Sequence, residues 1–145
     1  MTDNHPAILP FEDRHRDGVT ALWRAVFGYP ADYNEPGFVI DAKVARDRLF
    51  WVAEAGGVES GLVVGTIMAG YDGHRGWIYS LAVHPDQRGR RLGTRLLDRA
   101  LAELKALGCV KVNLQILESN ETVRRFYEAN GFTVEPRLSM GRRLD

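Results

Sequence analysis

The residues with the clearest capacity for chemistry are His84-Pro85-Asp86-Gln87-Arg88-Gly89-Arg90-Arg91-Leu92-Gly93-Thr94, a turn that leads into the most strongly patterned helix of the chain. The first turn of a helix leaves backbone N–H groups without partners, and the aligned peptide dipoles add about half a positive charge there. Gly89 and Gly93 have no side chains and let a ligand approach the backbone closely. Arg88, Arg90 and Arg91 add cations at the end of the helix where cations are unfavourable for the helix itself. This combination suits an anion such as a pyrophosphate. The plainer alternative, a solvated basic turn, stays open at this point. No Gly-Lys-Ser/Thr is present for a Walker-type loop, and the glycine spacing does not fit the dinucleotide fingerprint. So short a basic run in a neutral chain is also too little for a nucleic-acid surface.

Other reactive side chains are scattered. His5, His15, His74 and His84 show no metal-ligand spacing, and no metal is expected. His5 and His15 sit among polar residues and are expected to be solvated. Cys109 is the single cysteine, so no intramolecular disulfide can form, and its sequence neighbourhood is not that of a nucleophile.

The elements that must position the basic turn follow from composition and periodicity. The chain has 145 residues, 45% hydrophobic and 26% charged, which fits one globular domain over residues 1–145. Lys plus Arg and Asp plus Glu are both 19, so there is no general attraction to nucleic acid or to an acidic membrane. With no long apolar run and no signal-like start, a cytoplasmic location is expected. Residues 7–11 read as a strand, and Val19, Leu22, Trp23, Val26 and Phe27 predict a helix by their spacing. Residues 28–37, GYPADYNEPG, form the most loop-like stretch. A weaker helix is expected over 39–49, then strands over 50–55, 62–70 and 77–83, with Gly56-Gly57 as a turn. Leu92, Leu96, Leu97, Ala100, Leu101, Leu104 and Leu107 stripe one helix that Gly108 caps. Residues 110–117 alternate as a strand with one buried face. Asn120 can cap a further helix closed by Gly131, and residues 132–134 and 138–144 supply the last strand material. The order is β-α-α-β-β-β-α-β-α-β, a mixed-sheet α/β domain.

Ile78 to Pro85, followed by Gln87-Arg88-Gly89-Arg90-Arg91-Leu92-Gly93-Thr94 and Leu96-Leu97, resembles the acyl-CoA signature of the GCN5-related N-acetyltransferase (GNAT) family. That family's second signature is an Asn, a Tyr seven residues on and a Gly-Phe four residues later, matched by Asn120, Tyr127, Gly131 and Phe132. Residues 65–76 further resemble the small bacterial YpeA-type acetyltransferases. The resemblance covers roughly residues 50–135. It implies a twisted, mostly antiparallel sheet with helices on both faces and a V-shaped split that holds acetyl-CoA. One departure stands out. The family's turn often reads Arg-Gly-x-Gly-x-Gly, and here the middle glycine is Arg91, whose N–H still reaches phosphate if the residue is helical.

Roles follow from the resemblance. Leu81, Ala82 and Val83 would hold the pantetheine arm by extending a strand, with the Val83 N–H polarising the thioester carbonyl. Arg88, Gly89, Arg90, Arg91, Leu92, Gly93 and Thr94 would take the phosphates, with Arg91 adding a further contact. The structural alternative for Leu81 and Val83 is sheet core, which is compatible because backbone and side chain are different atoms. Tyr127 would protonate the departing thiolate, since a phenol titrates at about pH 10 and a thiol at about 8.5. Packing beside Phe126 is its alternative role. Asn120 would touch acetyl-CoA or only cap its helix. For the base that deprotonates the amine, Glu118, Asp72 and His74 are candidates, each also readable as an ordinary turn residue. Tyr79 would line the acceptor pocket or the sheet core, and Trp23, Trp51 and Trp77 are core or pocket wall.

The expected activity is direct transfer of acetyl from acetyl-CoA to a primary amine, with no metal. A non-catalytic acyl-CoA sensor and a transferase for protein N-termini or lysines are the alternatives. Residues 28–37 and 71–76 and the C-terminal strand are expected to select the acceptor, with Asp32 and Glu35 suited to a cationic one. A homodimer is a family habit.

Overall fold

The computed structural model describes residues 5–28, 32–57 and 60–145. Tyr29, Pro30 and Ala31 of the loop-like stretch lie outside the described residues. The chain divides into two compact units, Met1–Leu114 and Gln115–Asp145, each described by itself below.

The first unit is built on an open five-stranded sheet in the order β1-β2-β3-β4-β5. Its strands are β1 (Ala7–Pro10), β2 (Phe50–Ala55), β3 (Leu62–Tyr71), β4 (Gly76–Val83) and β5 (Val112–Asn113). β1 to β4 pair antiparallel in sequence, and β5 joins β4 in parallel. The meander and the crossover are the architecture that the alternating patterns predict. Helix α1 (Arg16–Val26) precedes α2 (Pro36–Arg46), and α3 (Leu92–Ala106) crosses from β4 to β5. α2 begins three residues earlier than its apolar pattern suggests, because the Glu35 carboxylate accepts the Phe38 N–H at 3.0 Å and Pro36 occupies the first helical turn.

Helices cover both faces. On one, Val19, Leu22 and Trp23 of α1 and Ile40 of α2 form a core with Phe50, Val52, Met68 and Ala82. On the other, α3 buries Leu92, Leu96, Leu97, Ala100 and Leu104, spaced by three and four along one stripe. Glycine permits that contact: a Cβ on Gly65 would stand 2.9 Å from the Leu96 side chain and 3.3 Å from the Ala82 carbonyl. α3 ends as predicted, with Gly108 at φ +92° and the Cys109 N–H bonded back to the Leu104 carbonyl at 3.1 Å.

The chain departs from the sequence pattern at residues 110–117 and at His15. Only Val112 and Asn113 of the expected strand 110–117 join the sheet, and Val110 is 93% exposed. Alternation marks a face but does not supply a ladder; β4 offers β5 partners only at Gly76 and Trp77. His15 is fully buried rather than solvated. Its Nε2 lies 3.3 Å from Glu54 Oε2, and Arg14 Nη1 meets the same carboxylate oxygen at 2.6 Å.

In the second unit, α4 (Glu121–Ala129) is capped at its start by Asn120, whose Oδ1 accepts the Val123 N–H at 3.2 Å. It closes at Gly131, φ +92°, with the Phe132 N–H on the Tyr127 carbonyl at 3.0 Å. The residues after Phe132 form no strand, against expectation. Leu138, Met140 and Leu144 are each more than 90% exposed, and among the described residues no ladder partner fixes their alternation.

Candidate functional site

The anion-binding turn is shaped by proline, glycine and one strained arginine. Pro85 ends β4 and opens a 3₁₀ turn over Pro85–Gln87, which His84 caps by accepting the Asp86 N–H on Nδ1 at 3.1 Å. Arg88 then runs extended, Gly89 takes φ +80° and Arg91 takes φ +61°, ψ 18° immediately before α3. Arg91 is therefore left-handed, not helical, the conformation that a glycine in its place adopts at least cost. No side chain caps α3, and the first bond back to the turn is from Arg95 N–H to the Arg91 carbonyl at 3.0 Å. The N–H groups of Leu92, Gly93 and Thr94 precede it and point out of the helix end. Arg88, Arg90 and Arg91 are all exposed around that end.

β4 reaches this turn with one edge open. The His84 N–H donates to the Val64 carbonyl at 2.8 Å, and Ala82 is paired with Thr66 across the β3 side. Alternation then turns the N–H groups of Leu81 and Val83 away from β3. β5 covers that side only at Gly76 and Trp77, where the Gly76 N–H donates to the Lys111 carbonyl at 2.9 Å. Leu81 and Val83 have no β5 partner.

Between the covered and uncovered parts of β4 lies a β-bulge. From Tyr79 to Ala82 the strand advances three residues while β3 advances two, from Met68 to Thr66. Ser80 sits in it at φ +50°, and its carbonyl accepts the Thr66 hydroxyl at 2.8 Å. The Trp23 indole N–H donates to the same hydroxyl oxygen at 2.8 Å, so a buried chain of bonds runs from α1 through β3 to the bulge.

Beside the bulge is a cleft of about 350 Å³ lined by Trp23, Phe27, Gly28, Asn34, Val39, Met68, Tyr79 and Ser80. Tyr79 is half exposed over it; burial and then the Asp72 carboxylate raise its phenol above the ordinary value. Trp23 and Tyr79 were expected as core or pocket wall, whereas the bulge, the Thr66 bridge and the contributions of Phe27, Val39 and Met68 to the cleft were not found in the sequence. The available signal was Ser80, a polar residue inside the apolar run Ile78 to Val83.

The base candidates lie on different elements. Asp72 accepts the N–H groups of His74 and Arg75 at 2.7 and 2.6 Å, and these bonds hold its carboxyl below the usual range. It shapes the β3–β4 turn, on which His74 is exposed. Glu118 is exposed in the second unit. Also there, Tyr127 is buried, edge-on to Phe126 at 5.1 Å and to Phe132 at 5.5 Å, and burial pushes its phenol up to about 12. Asn120 is engaged as a helix cap. Cys109 is buried with Sγ 3.3 Å from the Lys111 carbonyl. Among the described residues, no group of three or more His, Cys, Asp and Glu could hold a metal ion, and no helix is long and apolar enough to cross a membrane.

Solved structures share this fold. A transcriptional regulator from Bacillus halodurans C-125 superposes with a TM-score of 0.73 at 24% identity, over 95% of this chain and 100% of that one. Ard1 from Thermoplasma volcanium gives 0.75 at 22%, over 89% and 83%. The aminoglycoside N-acetyltransferase AAC(6′)-Iy in complex with CoA gives 0.78 at 15%, over 99% and 98%. The model of the Acetyltransferase (GNAT) family matches residues 16–132. With that match spanning most of its length, the chain belongs to the GNAT acetyltransferase family.

Proposed function

We propose that the protein is an N-acetyltransferase that binds acetyl-CoA along the open edge of β4 and moves its acetyl group directly to a primary amine. The observation that carries this reading is the junction of β4 and α3. Outward N–H groups on Leu81 and Val83 lead straight to the uncapped N–H groups of Leu92, Gly93 and Thr94, ringed by Arg88, Arg90 and Arg91. An extended amide-bearing arm ending in a pyrophosphate matches that sequence of donors. A structural neighbour is a CoA complex, which fits the same reading.

In this mechanism the strand edge orients the thioester, with Ala82 anchoring β4 in the sheet and the Val83 N–H receiving the negative charge that develops on the carbonyl oxygen. Such a donor is typically worth ~100-fold or more in rate. The neutral amine nitrogen forms a bond to the carbonyl carbon, the carbon–sulfur bond breaks, and sulfur leaves with the electron pair. The nitrogen gives up one proton and sulfur gains one, so the products are an amide and free CoA thiol. By the sequence signature, Tyr127 is the donor to sulfur. With its phenol at about 12, full transfer to a thiolate whose conjugate acid titrates near 8.5 is uphill by about 5 kcal/mol. The phenol therefore acts first as a hydrogen-bond donor to the departing sulfur. In the proposed relay Glu118, through water, takes the proton lost by nitrogen, and that proton replaces the one the phenol passes to sulfur. Asn120 holds the start of the helix that carries Tyr127.

Thermal unfolding with acetyl-CoA, ATP and NAD at equal concentrations tests the proposal. Ligand at 100 times its dissociation constant adds about 2.7 kcal/mol, so a midpoint rise of several degrees with acetyl-CoA alone is expected. No rise, or an equal rise with all three, overturns it.

A further inference from the structure

We infer that the acceptor is a small amine carrying a single positive charge on an aromatic or branched apolar group, held in the cleft beside the β4 bulge. The inference rests on the acetyl-transfer reading above and deepens it. Trp23, Phe27 and Tyr79 supply aromatic surface, Val39 and Met68 aliphatic surface, and the described lining has no charged side chain. At about 350 Å³ the cleft lies at the small end for ligand sites, too small to surround an oligosaccharide.

The flanking charges agree. Asp32 and Glu35, which would suit a polycation, are not in the wall. Glu35 is engaged twice, by the Phe38 N–H at 3.0 Å and by Arg24 at 3.4 Å. Asp72 is bound in its own turn and is not in the wall, so its one negative charge reaches the cleft only at Tyr79. The indole N–H of Trp23 is committed to Thr66, so that ring presents carbon to the cleft. The polar groups left in the lining, the Tyr79 phenol, the Ser80 hydroxyl and the Asn34 amide, can orient one nitrogen but cannot neutralise several. Each ammonium brought into such a wall without a counter-charge is penalised. The same desolvation lowers the pKa of the reacting ammonium, which favours the neutral nucleophile and lessens the demand on a base. Ser80 belongs both to the cleft wall and to the bulge that leads into Leu81 and Val83, so the amine enters next to the proposed thioester.

Steady-state release of CoA thiol from acetyl-CoA, with 2-phenylethylamine, a short peptide beginning with Phe, and spermidine as acceptors, tests this. The expected result is a kcat/KM for at least one of the two aromatic amines more than tenfold above that for spermidine. Which of the two is preferred distinguishes a free amine from a chain terminus. Tyr79→Ala and Phe27→Glu remove apolar wall at half-exposed positions. Each should reduce that preference at least tenfold, chiefly through KM, while keeping the acetyl-CoA thermal shift. Equal or better use of spermidine overturns the inferred acceptor class and leaves acetyl transfer standing. So does unchanged selectivity in both variants. An acetyl-CoA thermal shift with no acceptor used overturns the inferred acceptor class and leaves only acetyl-CoA binding standing. Absence of both thermal shift and thiol release overturns the acetyltransferase reading, and this inference with it.

Discussion

The Thr66 hydroxyl donates to the Ser80 carbonyl at 2.8 Å while accepting the Trp23 indole N–H at 2.8 Å, so one buried side chain joins α1 to the bulge of the strand proposed to bind acetyl-CoA. Ser80 holds φ +50°, a conformation a non-glycine residue keeps only when its surroundings enforce it. Thr66→Val preserves shape but leaves an indole N–H and a carbonyl without a partner. An unsatisfied buried group costs about 1–3 kcal/mol, so a loss of roughly 2–4 kcal/mol is expected from the pair. Urea unfolding should show it as a lower midpoint with an unchanged slope. A loss below about 0.5 kcal/mol would show that the bridge does not hold the bulge.

Arg91 combines two effects that substitution can separate. Its left-handed backbone is a strain that glycine relieves and alanine keeps, a difference of about 1 kcal/mol. Its guanidinium belongs to the proposed phosphate site. Arg91→Gly should therefore be more stable than Arg91→Ala, while both weaken acetyl-CoA binding by a similar factor, up to about fivefold for one exposed charge. Isothermal titration beside thermal unfolding measures both. Equal stability of the two variants would contradict the backbone assignment.

Tyr127→Phe should lower kcat by about 100-fold or more and leave the KM for acetyl-CoA within a factor of a few. The same variant has a consequence for stability. Burial raises the phenol to about 12 from an ordinary value of about 10, so between those values the unfolded chain releases a proton that the folded chain keeps. Stability from this group is complete below about pH 10 and falls as pH rises toward about 12, by up to about 3 kcal/mol. Phenylalanine at this position should flatten that part of the alkaline profile.

His15 shapes the acid side. The Glu12 N–H donates to its Nδ1 at 3.0 Å, which requires a lone pair there and puts the proton of the neutral ring on Nε2, facing Glu54. Burial, and after it the Arg14 charge, lower its pKa below 6.5 despite the carboxylate. As pH falls below that value the unfolded chain takes up a proton that the folded chain refuses, so stability present at neutral pH declines. His15→Gln should be less pH-dependent between about pH 7 and 5 than the parent, read by denaturant midpoints.

Local patterns determined most of the skeleton of this protein. The leucine stripe of α3, the glycine stop at Gly108, the Asn120 cap and the meander over β2, β3 and β4 each depend on residues close in sequence, whose periodicity already states which face is buried. The basic turn was legible for the same reason, since free N–H groups at a helix start and adjacent arginines are local properties. Tertiary structure decided the rest. Whether residues 110–117 form a strand depends on how far β4 offers a ladder, and a bulge on β4 separates the paired residues from the open edge. His15 is buried where Glu54, far along the chain, gives the Nε2 side of its neutral ring a carboxylate to face. The cleft exists because α1, α2 and two strands converge where Thr66 holds Ser80, and no periodicity in one segment encodes a space enclosed by four.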